Sequence, residues 1–315
     1  MATSVLKFGI IGTGYSARNH ARAFRQIEGA EIVAWASGHW ENAVAASREF
    51  GGNAMTTEEL LAYGGIEAVV IATPISCHAE QMMKAAEHGK HVFCETPIAR
   101  TEAQANDMIA AAEKSKIAFY VAHTLRFVPQ YAEARLVLLS GAIGSLRRAI
   151  CRRLNQPPSD RGAWYYDFTE SLGCILHLHI HDFDFLNWCL GKPSRVEVET
   201  MPGIDTSSLM HAIVHLYFAS GARAEVEGSW MNDKNEYSLT LVGDSGKLML
   251  HSSDAWLRIE GGQPIEVTPR DPYVAQMAHF IEHVRARTRL LVTPAEAAAA
   301  LSISLAALKK FERRA

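Results

Sequence analysis

The chain has 315 residues, 48% hydrophobic and 21% charged, enough apolar material for a core in each of two domains. Its 31 Lys and Arg against 34 Asp and Glu give a formal charge of -3, with no basic excess for nucleic acid or an anionic membrane, so a small molecule is the default partner. No apolar run approaches membrane-spanning length, the opening MATSVLKFGIIGTG has no secretory-leader pattern, and Cys77, Cys94, Cys151, Cys174 and Cys189 show no C-x-x-C spacing; a cytoplasmic protein with reduced core thiols is expected.

Up to His123, the short β-rich runs KFGII, EIVAWA, EAVVIAT, HVFCE and IAFYVAH alternate with helical patterns. That alternation predicts a parallel sheet with crossover helices. Gly89 closes the helix AEQMMKAAEH, and Thr101 with Gln104 forms a capping-box pattern before ANDMIAAAEKS. Beyond His123 the texture changes. LRFVPQYAEARLVLLSG reads as one helix, and HAIVHLYF, ARAEVEGSW, YSLTLVG and KLMLHSS read as strands joined by turns such as ASGA and DSG. Two helices, near Pro272–Arg287 and Pro294–Phe311, close the chain. The expected fold is α/β: a Rossmann-type domain over 1–123, then an α+β domain over 124–315 with an open, mainly antiparallel sheet, its last helix able to pack back on the first domain.

Gly12-Thr13-Gly14-Tyr15-Ser16-Ala17 follows a strand and opens the amphipathic helix ARNHARAFRQI, the context that the dinucleotide fingerprint requires. Gly12 makes the tight turn, Gly14 lets a pyrophosphate approach the backbone, and Ala17 allows close helix packing, while the helix N-terminus faces the phosphates. An acidic residue that would bind the ribose diol of NAD is missing at the end of the second strand, where WASGHWEN places Ser37 and His39. That tilts the expected NAD(P) cofactor towards NADP; Glu41 turned inward would return it to NAD.

GIIGTGYSA, AVVIATPISCHAEQMMKAAEHGKHVFCETP, VAHTLRFVPQY and a histidine-aspartate helix ending in NWCLGKP stand in an order that resembles the glucose-fructose oxidoreductase, inositol dehydrogenase and rhizopine catabolism (Gfo/Idh/MocA) family across nearly the whole chain. The resemblance implies a nicotinamide-dependent alcohol or ketone reaction on a sugar, polyol or related small molecule. It also implies a second-domain sheet whose flat face serves in oligomers, here a homodimer or homotetramer. It extends the cofactor contacts to Thr73, Pro74, His78, Glu95 and Pro97, and makes His123 and Arg126 substrate contacts. The family's Glu-Lys-Pro is here Glu95-Thr96-Pro97, so the lysine that orients substrate and assists proton transfer is replaced by a residue without a pKa near neutrality. Its aspartate, histidine and aspartate at intervals of four and three map onto His177, His181 and Asp184, so the first aspartate is replaced as well.

GCILHLHIHDFDFLNW, residues 173–188, carries His177, His179 and His181 at alternate positions. A strand would line up all three for a metal. The spacing of Leu178, Phe185, Leu186 and Leu190, and the stop at Gly191, instead predict one helix over 173–190. Then His177 and His181 share a face with Asp184, and His179 is a packing residue. Zinc would need a further ligand beyond that histidine pair, and no H-E-x-x-H is present, so no metal is assigned. His181 is the expected acid/base, with His177, Thr96 and Asp184 completing the catalytic set. Asp182 is expected to cap or pair at the surface, and Tyr165 and Tyr166 of AWYYDF are candidate substrate donors. Two alternatives stay open: a cofactor- and sugar-binding sensor that moves no hydride, and a redox-assisted lyase or glycosidase that retains its cofactor.

Overall fold

Short β-branched runs with every side chain buried, such as AVVI at 68–71, form the middle of a parallel sheet. The computed structural model describes residues 5–157, 163–199, 209–254, 256–260 and 262–312. In chain order the first elements are β1 (Leu6–Ile11), α1 (Tyr15–Phe24), β2 (Ala30–Ala36), α2 (Trp40–Phe50), β3 (Asn53–Ala54), α3 (Thr57–Ala62), β4 (Ala68–Ile71), α4 (Ile75–Glu87), β5 (His91–Cys94), α5 (Glu102–Ser115) and β6 (Phe119–Val121). The strands run parallel in the order β3-β2-β1-β4-β5-β6. The order reverses between β1 and β4, and the crevice beyond their carboxyl ends is where doubly wound sheets take ligands. Gly89 ends α4 at φ 66°. Thr101 caps α5 by accepting from the Gln104 N–H, but the Gln104 side chain accepts from Arg100 rather than closing the box.

The second sheet belongs to a different set of elements. A 3-10 turn (Thr124–Phe127) precedes α6 (Pro129–Leu139), β7 (Leu146–Leu154), a second 3-10 turn (Ala163–Tyr166), α7 (Phe168–Ser171), α8 (Gly173–His177) and α9 (His179–Leu190). Then come β8 (Arg195–Glu199), β9 (His211–Tyr217), β10 (Arg223–Ser229), β11 (Glu236–Gly243), β12 (Lys247–His251), β13 (Trp256–Ile259) and β14 (Ile265–Glu266). Their order is β14-β13-β12-β11-β7-β10-β9-β8, antiparallel except that β7 and β10 run parallel. The sequence reading passes over β7, LRRAICRRL, because its charge density hides the alternation. Its inward positions are Ala149, Cys151 and Arg153. Together with Val214, Leu216, Val226, Leu239 and Leu241 they form one core with Ile175, Phe183 and Phe185 from α8 and α9.

The chain closes with α10 (Pro272–Ala286) and α11 (Pro294–Glu312). It divides into two units, Met1–Thr124 with Asp271–Ala298, and Leu125–Arg270 with Ala299–Ala315. This corrects the expected boundary, since α10 belongs with the first unit. The reason is aromatic packing: Phe280 lies 5.6 Å from Phe93, 6.0 Å from Tyr120 and 6.3 Å from Phe8 between ring centroids. From the other end of α11, Ile303, Ala307, Leu308 and Phe311 enter the core of the second unit. The five cysteines are free, three of them buried and Cys77 and Cys189 half-buried.

Two further corrections concern residues 173–190. The expected single helix breaks at Leu178 (φ -99°, ψ -55°), where the His179 ring approaches the Cys174 carbonyl that also accepts the Leu178 N–H. Asp182, expected at the surface, is 1% exposed and receives two hydrogen bonds from Arg153, at 2.9 and 3.1 Å. A guanidinium reaching from β7 makes that burial tolerable. Asp182→Asn should therefore leave a buried, uncompensated cation and cost about 3–5 kcal/mol, whereas Asp182→Leu with Arg153→Met should lose much less. Urea unfolding of both variants checks this; equal losses would contradict it.

Candidate functional site

The fingerprint turn is set by contacts that glycine alone allows. Gly12 has φ 109°, and a Cβ there would stand 2.2 Å from the Ala72 carbonyl oxygen. No atom lies within 4 Å of where a Gly14 Cβ would stand. Gly14 is the N-cap of α1, whose first turn has no acidic residue. Ala17 is fully buried beneath it, and Thr13, Tyr15 and Ser16 keep exposed surface. Arg18 folds back to donate to the Thr13 carbonyl and pairs with Glu49. An open cradle at a helix N-terminus that no side chain caps fits a pyrophosphate.

At the end of β2, Ser37 is half-buried and accepts from the His39 N–H at 3.4 Å, while His39 and Glu41 are exposed. Beyond β4, Thr73 donates to Gln81 and Pro74 caps α4. His78, expected to face the cofactor, is instead a strut. It is 1% exposed, with Nδ1 2.9 Å from the Pro97 carbonyl and Nε2 3.0 Å from that of Thr73. Burial holds its pKa below the ordinary 6.5, partly offset by those carbonyls. It thereby ties the loop after β4 to the loop after β5. In that second loop Thr96 is half-buried, the Thr96–Pro97 peptide is cis, and Pro97 is buried. Glu95 accepts the Thr96 N–H at 3.2 Å and meets Nε2 of His20. His20 went unnoticed in the sequence, although it falls on the apolar stripe of α1 with Ala17, Ala21 and Phe24. His123, after β6, is 1% exposed.

In the second unit, α8 and α9 sort the histidine run by burial. His179 has no exposure; its Nδ1 lies 3.2 Å from the Cys174 carbonyl and its Nε2 3.0 Å from that of Ala212. Gly228 makes room for the ring, since a Cβ there would stand 2.4 Å from it. Burial holds this imidazole below 6.5 as well. His177 and His181 are half-buried. Asp184 has no exposure and accepts from Arg126 through both oxygens, at 2.7 and 2.9 Å. Arg126 is 1% exposed, and its guanidinium also lies 5.1 Å from the Trp188 ring. Arg126, expected to touch substrate, commits two donors to Asp184.

The 3-10 turn at 163–166 brings an aromatic group to His177. Ring centroids lie 5.4 Å away for Trp164, 5.1 Å for Tyr165 and 6.1 Å for Trp230, and the Tyr165 ring lies tilted 3.9 Å from that of Trp164. Tyr166 is 39% exposed. Among the described residues no group of three or more His, Cys, Asp or Glu is placed to hold a metal ion, and no helix is long and apolar enough to cross a membrane.

Two family models match: the oxidoreductase family with NAD-binding Rossmann fold over residues 6–123, and the GFO/IDH/MocA C-terminal domain over residues 131–249. The chain belongs to the Gfo/Idh/MocA oxidoreductase family. It is 26% identical to scyllo-inositol 2-dehydrogenase (NAD(+)) of Bacillus subtilis, over 97% of this chain and 94% of that protein. An uncharacterized oxidoreductase of Streptococcus pneumoniae is 30% identical, but the match spans 63% of this chain and 53% of that one. Among solved structures, the WlbA dehydrogenase of Bordetella pertussis, in complex with NADH and UDP-GlcNAcA, superposes with a TM-score of 0.88 at 19% identity, covering 100% and 98% of the two chains. A putative myo-inositol dehydrogenase of Sinorhizobium meliloti 1021 gives 0.85 at 22% identity, covering 98% of each.

The two fingerprint glycines should respond differently to a methyl group. Gly14→Ala is expected to keep stability within about 0.5 kcal/mol and to weaken NAD and NADP binding by roughly tenfold or more, about 1.4 kcal/mol. Gly12→Ala should lose the fold of the turn itself. Fluorescence titration of the cofactors beside thermal unfolding separates the two outcomes.

Proposed function

We propose that the protein is a NAD(P)-dependent oxidoreductase acting on a CH–OH or ketone group of a sugar, polyol or related small molecule, with His181 as its acid/base. The observation that carries the assignment is how α9 disposes of its polar groups. Asp182 and Asp184 are bound in ion pairs and His179 faces two carbonyls, whereas His181 keeps partial exposure. The Gly12–Ala17 turn would hold the pyrophosphate of a nicotinamide dinucleotide, which when bound would supply or accept the hydride. The matching proton at the substrate oxygen falls to His181, because an imidazole can both accept and donate a proton. Asp184 is held by Arg126, so both act as positioning residues for α9. His177 stands where the family pattern has an aspartate, and with Trp164 and Tyr165 it offers a ring-lined wall on which the apolar face of a sugar ring can pack. Thr96 can donate or accept one hydrogen bond but carries no proton for the reaction.

His181→Ala should lower turnover about 10²–10⁴-fold and leave cofactor affinity unchanged. The assay follows nicotinamide absorbance against sugars, polyols, inositols and their keto forms. Undiminished turnover would remove His181 from the role, and a silent panel with proven cofactor binding would overturn the oxidoreductase reading. NADP is the favoured form, because Ser37 and His39 occupy the end of β2 without a carboxylate between them. Comparing the two dissociation constants decides it; tighter NAD would reject the preference.

The sheet of the second unit suits self-association. On its outer face the register sets Arg195, Tyr217, Arg223, Arg148, Val242 and Lys247 in one row, Glu197, His215 and Glu225 in the next, and Glu199, Glu227 and Arg152 in the one after, with Arg195–Glu197, Arg148–Glu225 and Arg152–Glu227 paired across the rows. A two-fold stacking of two copies would let these arginines and glutamates exchange partners between the copies. Light scattering should find an oligomer that Glu225→Arg with Glu227→Arg dissociates; a monomeric parent protein would contradict it.

A further inference from the structure

His20 lies in α1, the helix that opens at Gly14, and its side chain has no exposure. Nε2 stands 2.5 Å from Oε1 of Glu95, and Nδ1 is buried without a hydrogen-bond partner. Phe93 and Tyr273 hold the ring edge-on, at 4.9 and 5.3 Å. These contacts fix where the proton sits. Whether the ring carries one proton or two, Nε2 bears one, because a lone pair there would face a carboxylate oxygen at hydrogen-bond distance. The Nε2–H therefore donates to Glu95, whose other oxygen accepts the backbone N–H of Thr96 at 3.2 Å. One carboxylate thus joins the helix of the nucleotide turn to the backbone of Thr96, the second residue after β5.

We propose that His20 is a positioning residue: through Glu95 it fixes the backbone of Thr96 relative to the N-terminus of α1. This rests on the nicotinamide-dependent reading above. A lysine at position 96 would reach its target with a long, flexible stem, and a small backbone displacement would be absorbed by its rotamers. Threonine has one Cβ and one hydroxyl, stiff at χ1. A displaced backbone therefore becomes a displaced hydroxyl, and a misplacement near 1 Å can cost about 100-fold in rate. The substitution that removes the ammonium makes the tether more consequential. A buried polar ring among aromatic neighbours, where leucine would pack at no desolvation cost, is explained by that role.

The test uses the full-length protein with three variants. His20→Leu keeps much of the volume and removes the donor, His20→Asn keeps polarity but falls short of Glu95, and His20→Gln places an amide N–H near the position of Nε2. With NADP or NAD saturating, kcat should fall by up to about 100-fold in His20→Leu and His20→Asn, with cofactor dissociation constants and substrate KM little changed, and His20→Gln should recover most of the loss. Parent-like kcat in either of the first two, or no recovery by glutamine where both have lost activity and remain folded, overturns the proposal. A readout independent of turnover is the ¹⁵N spectrum of the imidazoles: the parent should show a His20 proton on Nε2, and Glu95→Leu should change that signal. A His20 ring protonated on Nδ1 alone overturns the tether even if the enzyme turns over. If no substrate reacts, the oxidoreductase reading fails by itself. The tether then stands or falls on the spectrum and on whether the backbone amide resonance of Thr96 shifts in His20→Leu and returns in His20→Gln.

Discussion

Two carboxylates buried on one helix constrain much of the second unit. Asp182 and Asp184 lie on α9 with 1% and 0% exposure, and each, left uncompensated, would cost several kcal/mol. Two residues apart, they point about 200° apart around the axis, so their partners must approach from opposite sides. Arg153 does so from β7 and Arg126 from the turn before α6, each with two hydrogen bonds. The rotation of α9 is thereby fixed. With it fixed, His179 meets β10 over Gly228, and His181, three residues before Asp184, keeps part of its surface. Which of His179 and His181 keeps exposed surface follows from where the charges had to be buried.

The first unit was legible in the sequence because its local signals agree: apolar runs of strand length, helices between them, glycines at the turns. The second unit was less so, for identifiable reasons. β7 is the middle strand that joins β10 to β11, yet RRAICRR reads as solvated. Arg153 faces inward because Asp182 awaits it, and a pairing across 29 residues leaves no trace in local periodicity. The same gap in knowledge sent Asp182 to the surface in the sequence reading. Chain order assigned α10 to the second domain, whereas the rings around Phe280 come from β1, β5 and β6.

At the candidate site, what could be read was backbone chemistry and what could not was side-chain partnership. The glycine turn before α1 and the packing role of His179 follow from spacing and periodicity. His78 and His20 do not: both are buried histidines whose ring nitrogens meet atoms far along the chain, at Pro97 and Glu95. A signal for His20 was nevertheless present, since a histidine inside the apolar stripe of an amphipathic helix requires a partner.

The two departures from the family pattern are best weighed together. Lysine and aspartate contribute one positive and one negative charge; threonine contributes none, and an imidazole in place of the aspartate contributes no negative charge, so both of the family's ions disappear. Neutral groups orient a substrate by hydrogen bonds and packing, which fall off within a few ångströms, whereas ions also act at longer range. Under the proposed function, a site so altered would depend more on placement. Placement is what the surrounding structure supplies: carbonyls hold His179, arginines hold Asp182 and Asp184, His78 joins two loops, and Glu95 holds the backbone of Thr96. Under the proposed function, rigid support of short side chains would substitute for the reach and charge of long ones.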